Sequence, residues 1–321
     1  MTKIACVFPG QGAQGVGMGK DLHDKFQHAK ETFERIDKLA GRSLSSLCFN
    51  GPEEELKKTI NTQPTILAMS LVAWECYLKA GGPQPAFTAG HSLGEFTALV
   101  AAGALPLEGA VRLVDKRSRL MEECPRGAMS AVIGMAAADL ENICAQATEQ
   151  TRAKGESCAV VIVANFNTRE QLVISGSPDA VALAGTLAKE KGVKVIPLPV
   201  GGAFHSPLMA PAAAEFEQEL SNWKLSDAAF PVVQNFDARG SVDAAELQSK
   251  LSKQMPSAVK WCDSIEYMLS QGVKTFVEIG PGKALTGMVK KIDRSAQIFN
   301  IYDSESLAQT IRDLNSAAAP V

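Results

Sequence analysis

Phe87-Thr88-Ala89-Gly90-His91-Ser92-Leu93-Gly94-Glu95 is the segment that decides how the rest of this 321-residue chain is read. It holds a short β-prone run, then G-x-S-x-G, then the helical pattern Glu95–Ala102. In that order, a tight strand-to-helix turn lifts the serine hydroxyl clear of the chain. The flanking glycines are needed because side chains there would collide with the turn. The helix that follows aims free N–H groups toward the same spot, where they can stabilise a developing oxyanion. The competing reading is a Gly-rich turn whose serine only caps a helix.

Outward from this turn, short β-branched runs alternate with longer amphipathic ones, the pattern of an α/β fold built on a parallel sheet. Ile4–Phe8 reads as the first strand and leads into a Gly-rich segment, Pro9–Gly19. Glu31–Leu39, Gln63–Leu78 and Leu107–Glu122 read as helices; Asn61-Thr62 would cap the second, with Pro64 in its first turn. Between Met129 and Pro197 the rhythm changes. Strand Met129–Met135, helix Asp139–Thr148, strands Ala159–Ala164 and Gln171–Ser175, helix Pro178–Lys189 and strand Val193–Pro197 follow one another. That β-α-β-β-α-β order is the split ferredoxin-like unit. The larger pattern resumes with Val232–Asn235, a helix around Asp263–Leu269, and the strand Thr275–Ile279 running into Gly280-Pro281-Gly282. The expected architecture is a large α/β subdomain formed by residues 1–126 and 200–321, interrupted by a small ferredoxin-like subdomain at 127–199. Beyond a short Ala/Pro tail ending at Val321, no repeat or low-complexity segment is evident.

Composition narrows the function classes. With 32 Lys and Arg against 35 Asp and Glu, the formal net charge is -3, and no basic stripe of the kind nucleic acid needs is present. No apolar run reaches the roughly 20 residues that cross a bilayer. The first segment is broken too early, by Pro9 and Gly10, to read as a signal peptide. The 7 cysteines are odd in number, scattered and never spaced C-x-x-C, which fits free thiols in a reducing compartment; cytoplasm is the expectation. The charge balance and the absence of heptads fit a monomer.

A serine hydroxyl is a weak nucleophile until a base takes its proton. Only 4 histidines are present. His23 and His28 lie five apart on a polar helical stretch, too far round for one face, and read as solvated. His91 adjoins Ser92, and neighbouring side chains diverge on a sharp turn. His205, in Gly201-Gly202-Ala203-Phe204-His205-Ser206-Pro207, is left as the best base by elimination, although histidines in such loops are often simply exposed. No acid completes a triad, because Asp115, Asp139 and Asp179 fall inside or at the starts of helices rather than after strands. A Ser-His dyad oriented by some other group is the more natural reading.

Two further features bear on chemistry. Gly10-x-Gly12-x-x-Gly15 follows a strand, but a dinucleotide site also wants an acidic residue ending a second strand, and Glu31, Glu34 and Asp37 belong to a helical pattern. The loop's N–H groups suit an oxyanion hole better, where each donor contributes roughly 2.7–4 kcal/mol to the transition state. Gly280-Pro281-Gly282-Lys283 lacks the earlier glycine and the Ser or Thr of a phosphate-binding Walker loop. Within Leu107–Glu122 the apolar stripe runs through Ala110, Leu113, Val114 and Met121; Arg117 occupies a position on it, whereas Lys116 and Arg119 lie off it. Either Arg117 snorkels its head to water, or it is a buried guanidinium that grips a planar anion such as the free carboxylate of an acyl donor.

Together these motifs resemble the bacterial malonyl-CoA:acyl-carrier-protein transacylases and, by extension, the acyltransferase domains of fatty-acid and polyketide synthases. The resemblance runs nearly end to end. It is carried by Phe8-Pro9-Gly10-Gln11-Gly12-Ala13-Gln14, Gln63-Pro64, Gly90–Glu95, Lys116-Arg117-Ser118, Gly127-Ala128-Met129, Ala164-Asn165, Gly202–Ser206, Gln254 and Glu278–Gly282. It implies a hydrolase-like α/β core carrying the ferredoxin-like insertion. It implies that Ser92 takes malonyl from CoA as an ester, with His205 as base and then acid. Main-chain N–H groups of Gln11 and Leu93 would form the oxyanion hole, and Arg117 would pair with the malonyl carboxylate. A main-chain carbonyl near Gln254 would orient His205, Asn165 would line the cleft between the subdomains, and Phe204 would crowd a methyl branch. Gly202 departs from the histidine often found at that place in synthase domains, which bears on extender choice rather than on chemistry.

The resemblance implies no cofactor and no metal; the substrates would be malonyl-CoA and holo acyl carrier protein, with neither nucleic acid nor membrane as partner. The rival readings are a serine esterase or thioesterase with water as acceptor, a trans-acting acyltransferase of a polyketide pathway, and a carrier-docking module without catalysis.

Overall fold

In the computed structural model, which describes residues 3–318, the strands in chain order are β1 (Lys3–Phe8), β2 (Phe87–Gly90), β3 (Ala128–Ile133), β4 (Val161–Phe166), β5 (Gln171–Gly176), β6 (Lys194–Pro197), β7 (Val232–Val233), β8 (Gly240–Ser241), β9 (Val273–Ile279) and β10 (Gln297–Ile301). Six of them form one sheet in the order β10-β9-β1-β2-β7-β8, parallel except for the edge pair β7 and β8. The last four residues of β1 are buried, as are six of the seven in β9. Strands so continuously buried need cover on both faces. Cys6 and Phe8 join the core formed with helices Gln27–Ala40, Thr59–Lys79 and Leu107–Glu122, while Ala5 and Val7 join Trp261–Ser270 and Ala284–Ile292 on the opposite face.

The other four strands make an antiparallel sheet, β4-β5-β3-β6, whose core is completed by helices Ala137–Ala153 and Pro178–Glu190. This is the ferredoxin-like strand order. The chain enters and leaves this unit through a neck where Arg126 pairs antiparallel with Gly202 and the Gly127 N–H donates to the Gly201 carbonyl at 2.8 Å. A second tie joins Val259 to the end of β4. The Phe166 N–H donates to the Val259 carbonyl at 2.9 Å, and the Val259 N–H donates to the Ala164 carbonyl at 2.8 Å.

Two expectations need correction. The helix expected from Gln63 begins at Thr59, so Pro64 lies inside it and Asn61-Thr62 do not cap it. Their side chains instead donate to carbonyls of the preceding segment, Asn61 to Glu55 at 2.9 Å and Thr62 to Leu56 at 2.6 Å. The Ile60 carbonyl, which Pro64 cannot serve, accepts from Arg42 Nη2 at 2.8 Å. His23 and His28 stand on separate helices, Lys20–Lys25 and Gln27–Ala40, and neither is fully solvated. His23 packs against Phe49 at 4.9 Å between ring centroids.

The structure also adds β8, β10 and the helices Ala244–Gln254, Ala284–Ile292 and Ser304–Ala318. The end of the Ala/Pro tail lies outside the described residues, as do Met1 and Thr2. Among the described residues no helix is long and apolar enough to cross a membrane, and no cluster of metal-ligating side chains occurs.

Candidate active site

Because β1 and β2 are adjacent and parallel, the segments that follow them leave the sheet side by side at its carboxyl edge, where ligands of such sheets bind. The turn after β2 leaves no room for side chains. A Cβ on Gly90 would fall on the Gly94 carbonyl carbon, and one on Gly94 would fall on the Phe8 carbonyl oxygen. Ser92 at φ 51 and His205 at φ 58 both lie in the left-handed region, a conformation that costs of order 1–3 kcal/mol and persists where the surroundings fix it.

Ser92 Oγ lies 2.7 Å from His205 Nε2. The other ring nitrogen, Nδ1, faces the main-chain carbonyls of Gln254 at 3.2 Å and Ser257 at 3.1 Å. Carbonyls only accept, so Nδ1 carries the proton and Nε2 offers its lone pair to the serine hydroxyl. The acids considered for a triad are elsewhere: Asp115 pairs with Arg42 and Arg119, and Asp139 and Asp179 sit in the first turns of helices. Burial, reinforced by the charge of Arg117, lowers the His205 pKa to about 3. The ring is therefore neutral and ready to accept a proton around pH 7.

Arg117 does not snorkel; it is 1% exposed. Nη2 donates to Ser92 Oγ at 2.9 Å and to Gln254 Oε1 at 3.1 Å, and Nη1 donates to Gln63 Oε1 at 2.6 Å. Every acceptor it meets among the described residues is neutral. Burial lowers its pKa only to about 10, so it stays cationic. Its nearest opposing charge is the buried Glu95 carboxylate, which acts on it through space without a direct hydrogen bond, so the guanidinium beside the nucleophile can still take a direct carboxylate partner.

Gln254 ties these groups together. Its carbonyl holds His205, its Oε1 accepts from Arg117, and its Nε2 donates to the Ser92 carbonyl at 2.9 Å. Gln63 was visible in the sequence only within a motif and without a role. The structure shows it fully buried; the available sequence signal was a polar amide leading into the mostly apolar helical run Ile66–Trp74. The N–H groups of Gln11 and Leu93 have no hydrogen-bond partner among the described residues.

Ser92 and His205 open onto a cleft of about 240 Å³, with apolar walls that include Met121, Val173, Leu198, Phe204 and Met288 and polar points at Gln11, Asn165 and Asn167. Gly202 lies against the Phe204 ring, and a Cβ there would strike it. A larger residue at 202 would displace that wall. His91 turns away from Ser92, bonds Asn167 Oδ1 through Nε2 at 2.8 Å, and meets Trp261 at 5.6 Å between centroids.

Known proteins are similar to this chain in sequence and fold. The acyl transferase domain family matches residues 5–319. The malonyl CoA-acyl carrier protein transacylase of Bacillus subtilis is 43% identical over 325 residues, covering 99% of this chain and 100% of that protein. The solved malonyl CoA-acyl carrier protein transacylase of Coxiella burnetii superposes with a TM-score of 0.92 at 38% identity, covering 98% of each chain. A malonyl-transacylase solved in complex with a type II polyketide acyl-carrier protein also superposes with a TM-score of 0.92, at 37% identity over 97% of this chain and 100% of that one. Sheet order, elbow geometry and relatives agree, and the chain belongs to the acyl transferase domain family, among its malonyl-CoA:acyl-carrier-protein transacylases.

Proposed function

We propose that the protein moves malonyl from malonyl-CoA to the phosphopantetheine thiol of an acyl carrier protein through an ester on Ser92. The observation that carries this reading is the buried Arg117 guanidinium 2.9 Å from Ser92 Oγ. In the first half-reaction Ser92 Oγ attacks the thioester carbonyl as His205 Nε2 takes its proton, and the N–H groups of Gln11 and Leu93 receive the oxyanion. Collapse expels CoA as a thiol, protonated by His205, and leaves malonyl on Ser92. In the second half-reaction the carrier thiol gives its proton to His205 and attacks the ester; the intermediate collapses with Ser92 Oγ as leaving group, and His205 returns the proton to it, restoring the free serine. Arg117 pairs with the free carboxylate throughout, since that group is separated from the ester carbonyl by a single methylene. Gln254 keeps the base and the cation in place, Asn165 lines the cleft, and Phe204 crowds a branch on that methylene.

Water as acceptor would make the same acyl-enzyme a thioesterase. The mostly apolar walls of the cleft disfavour it, because they offer water few partners. Extender supply for fatty-acid synthesis is the destination in this reading; a polyketide carrier, the partner of one solved malonyl-transacylase, is the alternative acceptor. The reading includes a monomeric cytoplasmic enzyme without cofactor. It also includes a small subdomain bounded at 127–199, which the neck at Gly127 and Gly201 supports.

Intact-mass spectrometry with malonyl-CoA, before and after adding holo acyl carrier protein, tests the reading. A single malonyl adduct on Ser92 that moves to the carrier is the expected result. An adduct lost to water with the carrier unlabelled would make the protein a thioesterase, and labelling only by other acyl thioesters would reject malonyl.

A further inference from the structure

We infer that Asn235, anchored by Glu95, is a positioning residue that clamps the nucleophile turn in its reactive shape, an inference resting on the reading of Ser92 as nucleophile. Asn235 follows β7, the strand beside β2, and is fully buried. Its Oδ1 accepts from the Ser92 N–H at 2.6 Å, and its Nδ2 donates to the Gly90 carbonyl at 2.7 Å. One side-chain amide thus bridges the residues on either side of His91. At φ 51 the Ser92 main chain lies outside both helix and sheet, so without this amide a part-buried donor and a buried acceptor would lose these partners. Asparagine supplies both an acceptor and a donor at that reach; aspartate supplies only acceptors when ionised, and an aliphatic residue supplies neither.

The clamp is itself held. The Asn235 N–H donates to Glu95 Oε2 at 2.8 Å, and the neighbouring Gln234 Nε2 donates to Glu95 Oε1 at 3.1 Å and to the Leu247 carbonyl at 3.0 Å. Glu95 is fully buried and stands in the first turn of the helix Gly94–Ala101, three residues past the nucleophile. The connection therefore closes on itself: Ser92 N–H to the Asn235 side chain, Asn235 N–H to Glu95, and Glu95 back along the chain to Ser92. The acid of this site lies beneath the serine and fixes the nucleophile, whereas main-chain carbonyls fix the histidine.

The test uses two electrophiles on the full chain, malonyl-CoA and a small serine-directed sulfonyl fluoride, with single-turnover labelling of Ser92 followed by mass. A loose turn misplaces Oγ for any electrophile, so Asn235→Ala should slow both labellings by about a hundredfold. The ratio of malonyl-CoA to acetyl-CoA labelling should not change, and a thermal melt should show folded protein at the assay temperature. Asn235→Asp, which keeps the acceptor for the Ser92 N–H, should lose less. Wild-type sulfonyl labelling in folded Asn235→Ala, or a loss confined to malonyl-CoA, would overturn the clamp. If Asn235→Ala does not fold, Asn235→Asp and Glu95→Gln decide by the same two-electrophile comparison. Should malonyl-CoA fail on the wild type, the substrate reading falls while the sulfonyl fluoride still judges the clamp.

Discussion

The Ser92 hydroxyl gives its hydrogen to His205 and accepts one from Arg117, so base and cation act on a single oxygen. Ser92→Ala should abolish the malonyl adduct, read by intact mass. Arg117→Ala removes a charge-assisted hydrogen bond of about 1.5–3 kcal/mol, equivalent to about 10–150-fold in kcat/KM for malonyl-CoA, and should shift preference toward acetyl-CoA. Arg117→Lys should rescue little, because a point ammonium does not reproduce the planar fork that reaches Gln63, Ser92 and Gln254; unchanged malonyl turnover in either variant would sink the carboxylate clamp. His205, lowered by burial to about 3 from 6.5, binds no proton across a window in which the unfolded chain does, so this group removes stability as pH falls from 6.5 toward 3. Its lone pair remains available through the same window. Burial raises Glu95 to about 7, so protonation there converts an acceptor facing Asn235 and Gln234 into a donor as pH falls through 7. Labelling of Ser92 by the sulfonyl fluoride should therefore weaken below about pH 7 in the wild type and run flat, at a lower level, in Glu95→Gln. A limb near 6.5 that survives in Glu95→Gln would assign the titration to His205 after all. Ser92, His205 and Arg117 were legible in the sequence because each breaks a local pattern: a turn, a loop and an apolar stripe. Asn235 and Glu95 break none; they meet across 140 positions of chain, and only the placement of β7 beside β2 brings them together.

At the scale of elements, the turn after β2 depends on glycine for space. A Cβ at position 94 would meet the Phe8 carbonyl of the neighbouring strand, so relief would require the parallel pair β1 and β2 to separate at their carboxyl ends. Gly94→Ala should lower stability by about 1–3 kcal/mol, the usual range for an overpacked core, and also slow Ser92 labelling in the fraction that stays folded; urea unfolding and the sulfonyl fluoride rate measure the two. Elements with strong local signals were legible, Leu107–Glu122 with the same bounds and the six insertion elements in order. The helix starting at Thr59 was not, because Pro64 reads locally as a first-turn residue. Tertiary contacts to the Ile60 carbonyl, from Arg42 and more weakly from Ser118, explain how the helix continues through it. β8 has two residues, and β10 alternates weakly at a sheet edge, so neither carries a period long enough to read.

At the scale of the molecule, the cleft exists only where the two sheets meet. Its walls draw on the segment after β1, the nucleophile turn, β5, the chain after β6 and the helix Ala284–Ile292, a set that no local pattern in the sequence joins. The small sheet supplies a wall that a hydrolase would not need. Val173, Leu198 and Val200 give water nothing to bond to, while a thiol at the end of a flexible arm loses little by leaving solvent. Leu198→Ser tests this division of labour. Leu198 is only partly buried, so the substitution should leave folding intact, with a stability loss under about 1.5 kcal/mol. It places a hydroxyl beside the acyl-enzyme, where it can hold a water. If the apolar wall is what separates transfer from hydrolysis, malonyl-Ser92 should form at the wild-type rate but decay in buffer severalfold faster, and the fraction delivered to holo carrier should fall. Decay at the wild-type rate with unchanged delivery would mean that water is kept out by other parts of the cleft, such as the Phe204 side, and that the small sheet serves the reaction chiefly by presenting Asn165 and Asn167.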